Sequence, residues 1–310
     1  MTYMPDKSWS APAPPLNDEE QLIRDKLKQH VETLAQQIGE RNVWHSEALL
    51  AAASYIRDTL EDLGYRVQAQ SFESEGVPVQ NLEVEISGGA ASEEIIVLGA
   101  HYDSVFGTPG ANDNASGVAA LLEIARLLAG KSYPRTLRLV AFVNEEPPFF
   151  YSDAMGSRVY AERSRQRGDE IKAMIALETI GYYTDQPDSQ KYPFPFKFFY
   201  PDTGNFIGFV GNLSSRRLVR QALAAFRAST AFPSEGVAAP GWVMGVGWSD
   251  HWSFWQADYP AIMVTDTALF RYRHYHAPTD TPDKLDYPSL ARVTRGLTNV
   301  AAELAGASPI

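Results

Sequence analysis

The chain has no cysteine among its 310 residues. This absence excludes disulfide bonds, thiolate metal ligands and a cysteine nucleophile. Basic residues are also in deficit, because 27 Lys and Arg stand against 38 Asp and Glu and give a formal net charge of -11. A surface of that sign repels phosphate backbones, so we expect no nucleic-acid partner.

Long apolar runs are lacking as well. No stretch approaches the length of a membrane span, and the N-terminal MTYMPDKSWSAPAPP lacks the hydrophobic segment of a signal peptide. We therefore expect a cytoplasmic protein with no membrane partner. The apolar fraction of 45% is ordinary for a globular protein and allows a sizeable core. Composition leaves the oligomeric state open.

The composition varies along the chain and indicates how it is organised. Residues 1–16 are rich in proline, and we expect them to form a flexible arm. Residues 17–310 are expected to form a single domain. Within it, the stretch 182–205 is rich in Pro, Tyr and Phe and has no clear period, which predicts an insertion or long loop.

The hydrophobic periodicity predicts alternating strands and helices. Helical spacing extends over 18–38, where Gly39 is a plausible stop, and a second helix is expected from an N-cap at Ser46 to Gly64. Two alternating segments, YRVQAQSF and NLEVEIS, are typical of half-exposed strands near a sheet edge. Further helices are expected at 115–129, 158–166 and 287–305.

Four segments have the near-continuous apolar pattern of strands that are buried on both faces. They are EEIIVLGAHYDS, TLRLVAFVNEE, AMIALETIG and PAIMVTDT. Because these strands alternate with helices, the sequence predicts one α/β domain with a mostly parallel central sheet.

Polar side chains that can bind a metal follow all four of these strands. In open α/β sheets, function gathers at the carboxyl ends of the strands. The residues at these ends are His101 and Asp103, Glu145 and Glu146, Glu178, and His274 and His276. Their common position predicts one polar site at this edge of the sheet.

The segment after the first of these strands offers three candidates. His101 directly follows the apolar run, and Asp103 points to the same side of an extended chain, where it can hold the ring N–H of His101. Asp113 lies in a turn rich in Gly and Asn before a helix that begins near Ala115, and a carboxylate there can bridge two cations. The alternatives are that His101 is a hydrogen-bonded core residue and that Asp113 is a plain N-cap.

The adjacent acids Glu145 and Glu146 need an explanation, because a carboxylate near a core is costly unless something neutralises it. One glutamate can bind a metal while its neighbour acts as general base on a water molecule. Histidine and carboxylate ligands without thiolates suit catalytic zinc, with cobalt or manganese as possible substitutes. The alternative is that the strand reaches the surface at Asn144 and both acids are solvated.

The late segment RYRHYHAPTDTPDKLDY contains two histidines. His276 is favoured as the ligand because it directly precedes the rigid Ala-Pro-Thr-Asp-Thr turn, whereas His274 is interpreted as a wall or solvated residue. In GWSDHWSFW, Asp250 is expected to support His276. His251 is expected to belong to a helix and to pack with Trp252 and Trp255.

The ordered combination of HYDS, GANDNASG, NEE and a late H-x-P-x-D-T resembles the dizinc aminopeptidases of the bacterial leucyl aminopeptidase family. That family also includes glutamate carboxypeptidase II and glutaminyl cyclase. The resemblance extends from about residue 94 to residue 286. It implies a three-layer α/β/α sandwich with a mixed, mostly parallel sheet and two zinc ions.

The resemblance also implies a role for each matching residue. His101 would bind one zinc, Asp113 would bridge both, and Glu146 and His276 would bind the other. Glu178 takes the place of the remaining acidic ligand. Glu145 would be the general base, and Asp103 would support His101.

Two departures from the family pattern bear on the site. Glu178 stands where the family usually has Asp, and Gly156-Ser157 come late, after PPFFYSDAM. The aromatic residues of that insertion either line the cleft or cover the core. The residues expected to line a pocket for bulky apolar side chains are Phe149, Phe150, Tyr151, Trp248, Trp252 and Tyr272.

The function implied by the resemblance is removal of N-terminal residues from peptides with a free N-terminus. One rival is glutaminyl cyclase chemistry with a single zinc. A second is carboxypeptidase action on acidic dipeptides, for which Arg158, Arg271 and Arg273 are candidate contacts. A non-catalytic binding protein on the same fold, like the transferrin receptor, is a third, but such proteins lose metal ligands and no ligand position is empty here.

Overall fold

The structure, a computed structural model, describes residues 3–307. These residues contain eight strands that form one sheet. The strands are β1 (Gln68–Ser74), β2 (Val77–Ile86), β3 (Ala91–His101), β4 (Arg135–Phe142), β5 (Glu170–Glu178), β6 (Ile207–Gly211), β7 (Ser234–Ala238) and β8 (Ala261–Thr265). The α-helices are α1 (Asp18–Glu32), α2 (Ser46–Asp62), α3 (Gly117–Leu128), α4 (Gly156–Arg167), α5 (Arg216–Ser229), α6 (His251–Gln256) and α7 (Tyr287–Leu304).

The sheet is mixed, with strand order β1-β2-β4-β3-β5-β8-β6-β7. Strands β4, β3, β5 and β8 are parallel to one another, while β6 is antiparallel to β8 and parallel to β7. The two alternating strands, β1 and β2, lie near one edge of the sheet, as the sequence predicted, and the structure pairs them antiparallel. The carboxyl ends of the four central strands therefore meet at the same edge of the sheet.

Helices cover both faces of the sheet. The larger core contains buried residues of α1, α2, α3, α5 and α7, and the smaller core contains residues of α4 and α6. Alternate residues of β3 separate accordingly, since Ile96 and Leu98 face the larger core and Ile95 and Val97 face the smaller one. This is why the strand is apolar at every position from Ile95 to Ala100, and it confirms the predicted α/β/α sandwich.

The boundaries of the first two helices differ slightly from the prediction. Beyond α1, the segment Thr33–Ile38 continues as a wider helical turn that ends at Gly39, whose φ of 83° only glycine adopts readily. Ser46 is the first residue of α2 and not a capping residue. The local cap is Asn42, whose side chain accepts the backbone N–H groups of Trp44 and His45.

The prediction omitted β6, α5 and β7. Strands β6 and β7 are five residues long, and each contains glycine, in IGFVG and SEGVA. Glycine weakens the strand pattern, and short segments carry little periodicity. The two strands form because they continue a sheet whose centre is built from longer strands.

The segment 182–205 contains only a short turn of regular structure, Phe196–Phe198, between β5 and β6. It is fixed to β7 by the Tyr200 hydroxyl, which donates to the carbonyl oxygen of Gly236 at 2.8 Å. The N-terminal arm contacts the same edge strand, because the backbone N–H of Ser234 donates to the Ser8 hydroxyl at 2.9 Å. The flexibility of residues 1–16 and the single domain over 17–310 stay predictions. None of the helices within residues 3–307 combines the length and the apolar character of a membrane span.

Candidate active site

The strand ends deliver the predicted polar residues to one place. His101 is the last residue of β3, Glu178 is the last residue of β5, and Glu145 and Glu146 follow β4. All four side chains are buried. Asn144, directly before the glutamates, has a φ of 58°, so the chain turns sharply there instead of continuing the strand.

Five of the residues predicted from the sequence form two groups of three that share Asp113. In the first group, Nε2 of His101 lies 3.3 Å from Oδ1 of Asp113 and 3.3 Å from Oε2 of Glu178. In the second, Nε2 of His276 lies 3.1 Å from Oδ2 of Asp113 and 3.3 Å from Oε2 of Glu146. Asp113 thus gives one carboxylate oxygen to each group.

These distances fit two metal ions. Ligand atoms bound about 2.05 Å from a tetrahedral zinc ion lie about 3.3 Å from each other. Both ring nitrogens of His101 and Oδ1 of Asp113 are buried without a hydrogen-bond partner in the described residues. Burying such atoms without a partner is costly, and a cation between Nε2 of His101 and Oδ1 of Asp113 would serve both of these atoms.

The electrostatics of the groups agree with this reading. Burial raises the pKa of Glu146 to about 7, with the charge of Asp113 as the second cause. Burial alone would lower the pKa of His276, but its contacts with Asp113 and Glu146 raise that pKa to about 10. The cluster therefore favours positive charge at its centre, which a divalent cation supplies.

Glu145 belongs to neither group of three. Its Oε2 lies 3.8 Å from Nε2 of His101. Burial, followed by the charges of Glu178 and Glu146, holds the pKa of Glu145 well above its usual range, although the charge of His101 opposes the shift. A carboxylate with a raised pKa beside a metal site, but outside it, is placed as a general base requires.

Asp103 lies between His101 and the pair of glutamates. Its carboxylate accepts the backbone N–H groups of Glu145 and Glu146, both at 3.1 Å. Its Oδ1 also lies 3.5 Å from Nδ1 of His101. The expected contact with His101 is therefore long, and the shorter contacts orient the glutamate pair.

Glu178 reaches the first group despite its extra methylene. Its Oε2 accepts a hydrogen bond from the Ser249 hydroxyl at 2.8 Å, and the next residue, Thr179, has a φ of 42°. The Ser249 hydroxyl thereby holds the longer side chain at the end of β5.

Asp250 was expected beside His276, but it has no hydrogen bond to His276 within the described chain. Burial raises the pKa of Asp250 to about 7, and the charges that act on it most strongly are those of His101, Glu178 and Asp103. Asp250 precedes α6 and lies on the side of the first group, a placement that depends on tertiary packing.

The neighbouring histidines of these two segments lie outside the groups. His251 is in α6, with its ring 4.5 Å from that of Trp255 and its Nε2 2.8 Å from the carbonyl oxygen of Val246. His274 is partly exposed, and its Nδ1 lies 2.8 Å from the Thr279 hydroxyl.

Two positioning residues were missed by sequence reasoning. The Asp280 carboxylate accepts the backbone N–H groups of Asn112 at 2.8 Å and Asp113 at 3.1 Å, so the loop of His276 is fixed to the turn of Asp113. Asp280 is the aspartate of the H-x-P-x-D-T motif, which was an available signal.

The second missed residue is Arg41, which is fully buried. Its guanidinium donates to the carbonyl oxygens of Tyr102, Pro109 and Gly110, at 2.6, 2.6 and 2.9 Å, and holds the chain that leads to Asp113. Gly110 is required there, because its φ is 61° and a Cβ would lie 2.4 Å from the carbonyl oxygen of Asp113. No sequence pattern indicated Arg41.

A pocket opens beside Glu178, over the faces of β8, β6 and β7. It has about 850 Å³ of empty space, including its open mouth. Six residues were expected to line a pocket, and Trp248 is the one of them that lines this pocket.

The other five expected pocket residues pack elsewhere. The ring of Phe149 stacks at 6.1 Å on Trp44, and Phe150 stacks at 4.0 Å on Tyr151. Tyr151 in turn lies 4.3 Å from Trp252. The Tyr272 hydroxyl donates to Asp280 at 2.7 Å. The insertion PPFFYSDAM therefore packs its aromatic residues against neighbouring loops and helices.

Comparison with known proteins agrees with this geometry. The sequence description of peptidase family M28 matches residues 81–301. The chain is 43% identical to the Escherichia coli K12 protein named "Uncharacterized protein YfbL" over 88% of this chain and 86% of that one. It is 28% identical to a protein of Arthroderma otae named "Probable leucine aminopeptidase", over 70% of this chain and 56% of that protein.

Solved structures share the fold. BSAP, a zinc aminopeptidase from Bacillus subtilis, has a TM-score of 0.71 at 16% identity, covering 92% of this chain and 97% of that chain. A glutaminyl cyclase from Bacteroides thetaiotaomicron has a TM-score of 0.69 at 19% identity, covering 94% and 99%. The resemblance predicted from the motifs is confirmed: the chain belongs to peptidase family M28 and is a metal-dependent hydrolase of peptides.

Proposed function

We propose that this chain is an aminopeptidase that removes the first residue from peptides with a free N-terminus, using two zinc ions. The observation that carries the proposal is the pair of three-residue groups joined by Asp113. His101, Asp113 and Glu178 would hold one ion, and Asp113, Glu146 and His276 would hold the other. Cobalt or manganese could replace zinc in such mixed nitrogen and oxygen sites.

When bound, the metal ions polarise the scissile carbonyl and make water more acidic. Glu145 takes the proton from the attacking water and delivers it to the leaving amine. Asp103 keeps the Glu145 carboxylate in position through the backbone N–H groups of both glutamates. Glu178 is a candidate contact for the amino group of the substrate.

The relatives support an aminopeptidase. The protein from Arthroderma otae carries the name of a leucine aminopeptidase, and the Bacillus subtilis protein of the same fold is a zinc aminopeptidase. This chain spans 56% of the length of the fungal relative. We therefore propose aminopeptidase activity for this chain on the basis of that similarity.

Cyclisation of N-terminal glutamine is the nearest alternative, because a glutaminyl cyclase shares the fold. The intact group of His101, Asp113 and Glu178 favours hydrolysis with a second metal ion. A non-catalytic binding role is less favoured for the same reason, since a binding protein has no need of two complete ligand groups.

Carboxypeptidase action on acidic dipeptides requires a free basic side chain for the terminal carboxylate. Arg158 pairs with Glu162 at 2.5 Å. The guanidinium of Arg271 is buried and donates to the carbonyl oxygen of Phe206 and to Gln190. Of the three candidate arginines, these two are already committed to other groups. A cytoplasmic location and the lack of nucleic-acid and membrane partners stay predictions.

The test is mass spectrometry of the zinc-loaded protein with peptides that begin with Leu, Gln or Lys, each with a free and with an acetylated N-terminus. We expect loss of whole first residues from the free peptides and no reaction of the acetylated ones. Loss of ammonia alone, restricted to the Gln peptide, would identify a cyclase. Cleavage of the acetylated peptides at their carboxyl end would identify a carboxypeptidase.

A further inference from the structure

The pocket floor contains a row of four residues that crosses four strands. The register pairs Glu178 of β5 with Thr265 of β8, Thr265 with Gly208 of β6, and Gly208 with Glu235 of β7. Paired residues of a sheet point to the same face, and all four line the pocket. A glutamate therefore stands at each end of the row.

The middle of this row is open. Gly208 has no side chain, Thr265 is small, and three inter-strand steps separate the Cα atoms of Glu178 and Glu235 by about 14 Å. A second, apolar row lies beside it, formed by Met263, Val210 and Val237. Together the two rows form a trough with apolar sides and a carboxylate at either end.

The segment 182–205 covers the far end of the trough. Tyr192, Phe196 and Tyr200 line the pocket there, and the charge of Glu235 contributes to the raised pKa of both tyrosines, after burial as the main cause for each. Aromatic rings beside a carboxylate form the kind of enclosure that suits an alkyl chain with a cationic end.

Within the described residues, the Glu235 carboxylate has one ion pair, and that pair is long. The nearest guanidinium, that of Arg227, lies 3.9 Å from its carboxylate. Arg227 instead donates to the carbonyl oxygens of Ser234, Pro5 and Asp6, at 2.5, 2.7 and 3.0 Å. Burial raises the pKa of Glu235, although the charge of Arg227 and a hydrogen bond from Ser8 oppose the shift. The carboxylate therefore lies in a poorly solvated place where a further cation is attractive.

We propose that the trough selects a first residue with a long alkyl side chain and a cationic end, lysine or arginine, whose charge pairs with Glu235. This inference rests on the proposed aminopeptidase function, with the substrate amino group at Glu178. An extended lysine spans about 7.5 Å from its amino nitrogen to Nζ. With a hydrogen bond of about 3 Å at each end the total is about 13.5 Å, close to the distance of about 14 Å between the Cα atoms of the two glutamates. Leucine ends about 4 Å from its Cα and leaves Glu235 without a contact.

The test compares kcat/KM for peptides that differ only in the first residue: Lys, Arg, Leu and norleucine. Norleucine has the alkyl chain of lysine without the charge and is the matched control. The wild type is expected to cleave the Lys peptide at least about tenfold better than the norleucine peptide, as a charged hydrogen bond allows. In Glu235→Gln this preference should fall about tenfold, with cleavage of the norleucine peptide changed less than about twofold.

Glu170→Gln is the control variant, because Glu170 lies at the other end of β5, is exposed and pairs with Lys172. It should leave all ratios unchanged. Equal cleavage of the Lys and norleucine peptides by the wild type overturns the inference even if Glu235→Gln does not fold, and the aminopeptidase proposal then still stands. Failure to cleave any of the four peptides overturns both.

Discussion

The two parts of the sheet that border Glu178 serve the site differently. On one side, β4, β3 and β5 are long, parallel and apolar, and they place ligand candidates at their carboxyl ends. On the other side, β6 and β7 are short. Their faces line the pocket, to which they contribute Gly208 and Glu235. Strand ends thus supply the chemistry, while strand faces supply the pocket.

We therefore expect that changes at the candidate metal ligands lower the cleavage of every peptide. Changes in the pocket should instead alter which first residue is preferred. The largest effect should follow removal of the metal ions. Dialysis against a chelator is expected to reduce cleavage of every peptide to background, because the carbonyl is then no longer polarised. Addition of zinc should restore it, and full activity of a protein shown by elemental analysis to be metal-free would contradict the assignment.

The next largest effect is expected for Glu145→Gln. Loss of the general base should lower kcat by about 10³-fold for Leu and Lys peptides alike. Because Glu145 lies outside both three-residue groups, zinc content should be unchanged. Glu146→Gln is the matched comparison and should lose zinc. Normal turnover by Glu145→Gln would remove that residue from the role of base.

Asp280→Asn should have an intermediate effect. Asp280 fixes the turn of Asp113 through two backbone N–H groups, and loss of such support typically weakens metal binding tenfold to about a hundredfold. Competition with a zinc-binding dye measures this affinity independently of turnover. Asp283→Asn, an exposed residue on the same loop that pairs with Lys284, should bind zinc normally. Equal affinity of the two variants would show that Asp280 does not position the site.

The smallest overall effect is expected for Gly208→Val, which fills the trough without contacting the metal groups. A Cβ at Gly208 already lies 3.3 Å from the carbonyl oxygen of Thr265, so a branched side chain narrows the pocket. Cleavage of peptides that begin with Lys or Leu should fall about tenfold relative to peptides that begin with Ala, since the lost contacts correspond to roughly 1–3 kcal/mol. Zinc content should not change. A uniform loss over all three peptides would place the substrate side chain elsewhere.

The candidate metal ligands could be predicted from the sequence for a physical reason. Strands buried on both faces are recognisable as continuous apolar runs, and a polar residue at the end of such a run, such as His101 or Glu178, stands out locally. Asp103 follows the apolar run that ends at Ala100 almost directly, and Asp113 lies in the Gly- and Asn-rich turn before the next helix, so both belong to the connection after one strand.

Most of the pocket residues could not be predicted from the sequence, because the pocket brings together residues that are far apart in the chain. Nothing in SEGVA indicates that Glu235 shares a row with Glu178, since this follows from the register of β8, β6 and β7. Aromatic residues were likewise an ambiguous signal. Phe149 and Tyr272 were expected in the pocket. The ring of Phe149 instead stacks on Trp44, and the Tyr272 hydroxyl donates to Asp280.

We propose that one carboxylate, that of Asp113, joins two metal positions. The most direct test is anomalous X-ray diffraction at the zinc edge from crystals of the zinc-loaded protein. The account predicts two peaks, one in contact with His101, Asp113 and Glu178 and the other with Asp113, Glu146 and His276. A single peak at full zinc loading, or a peak bound by Glu145, would contradict it.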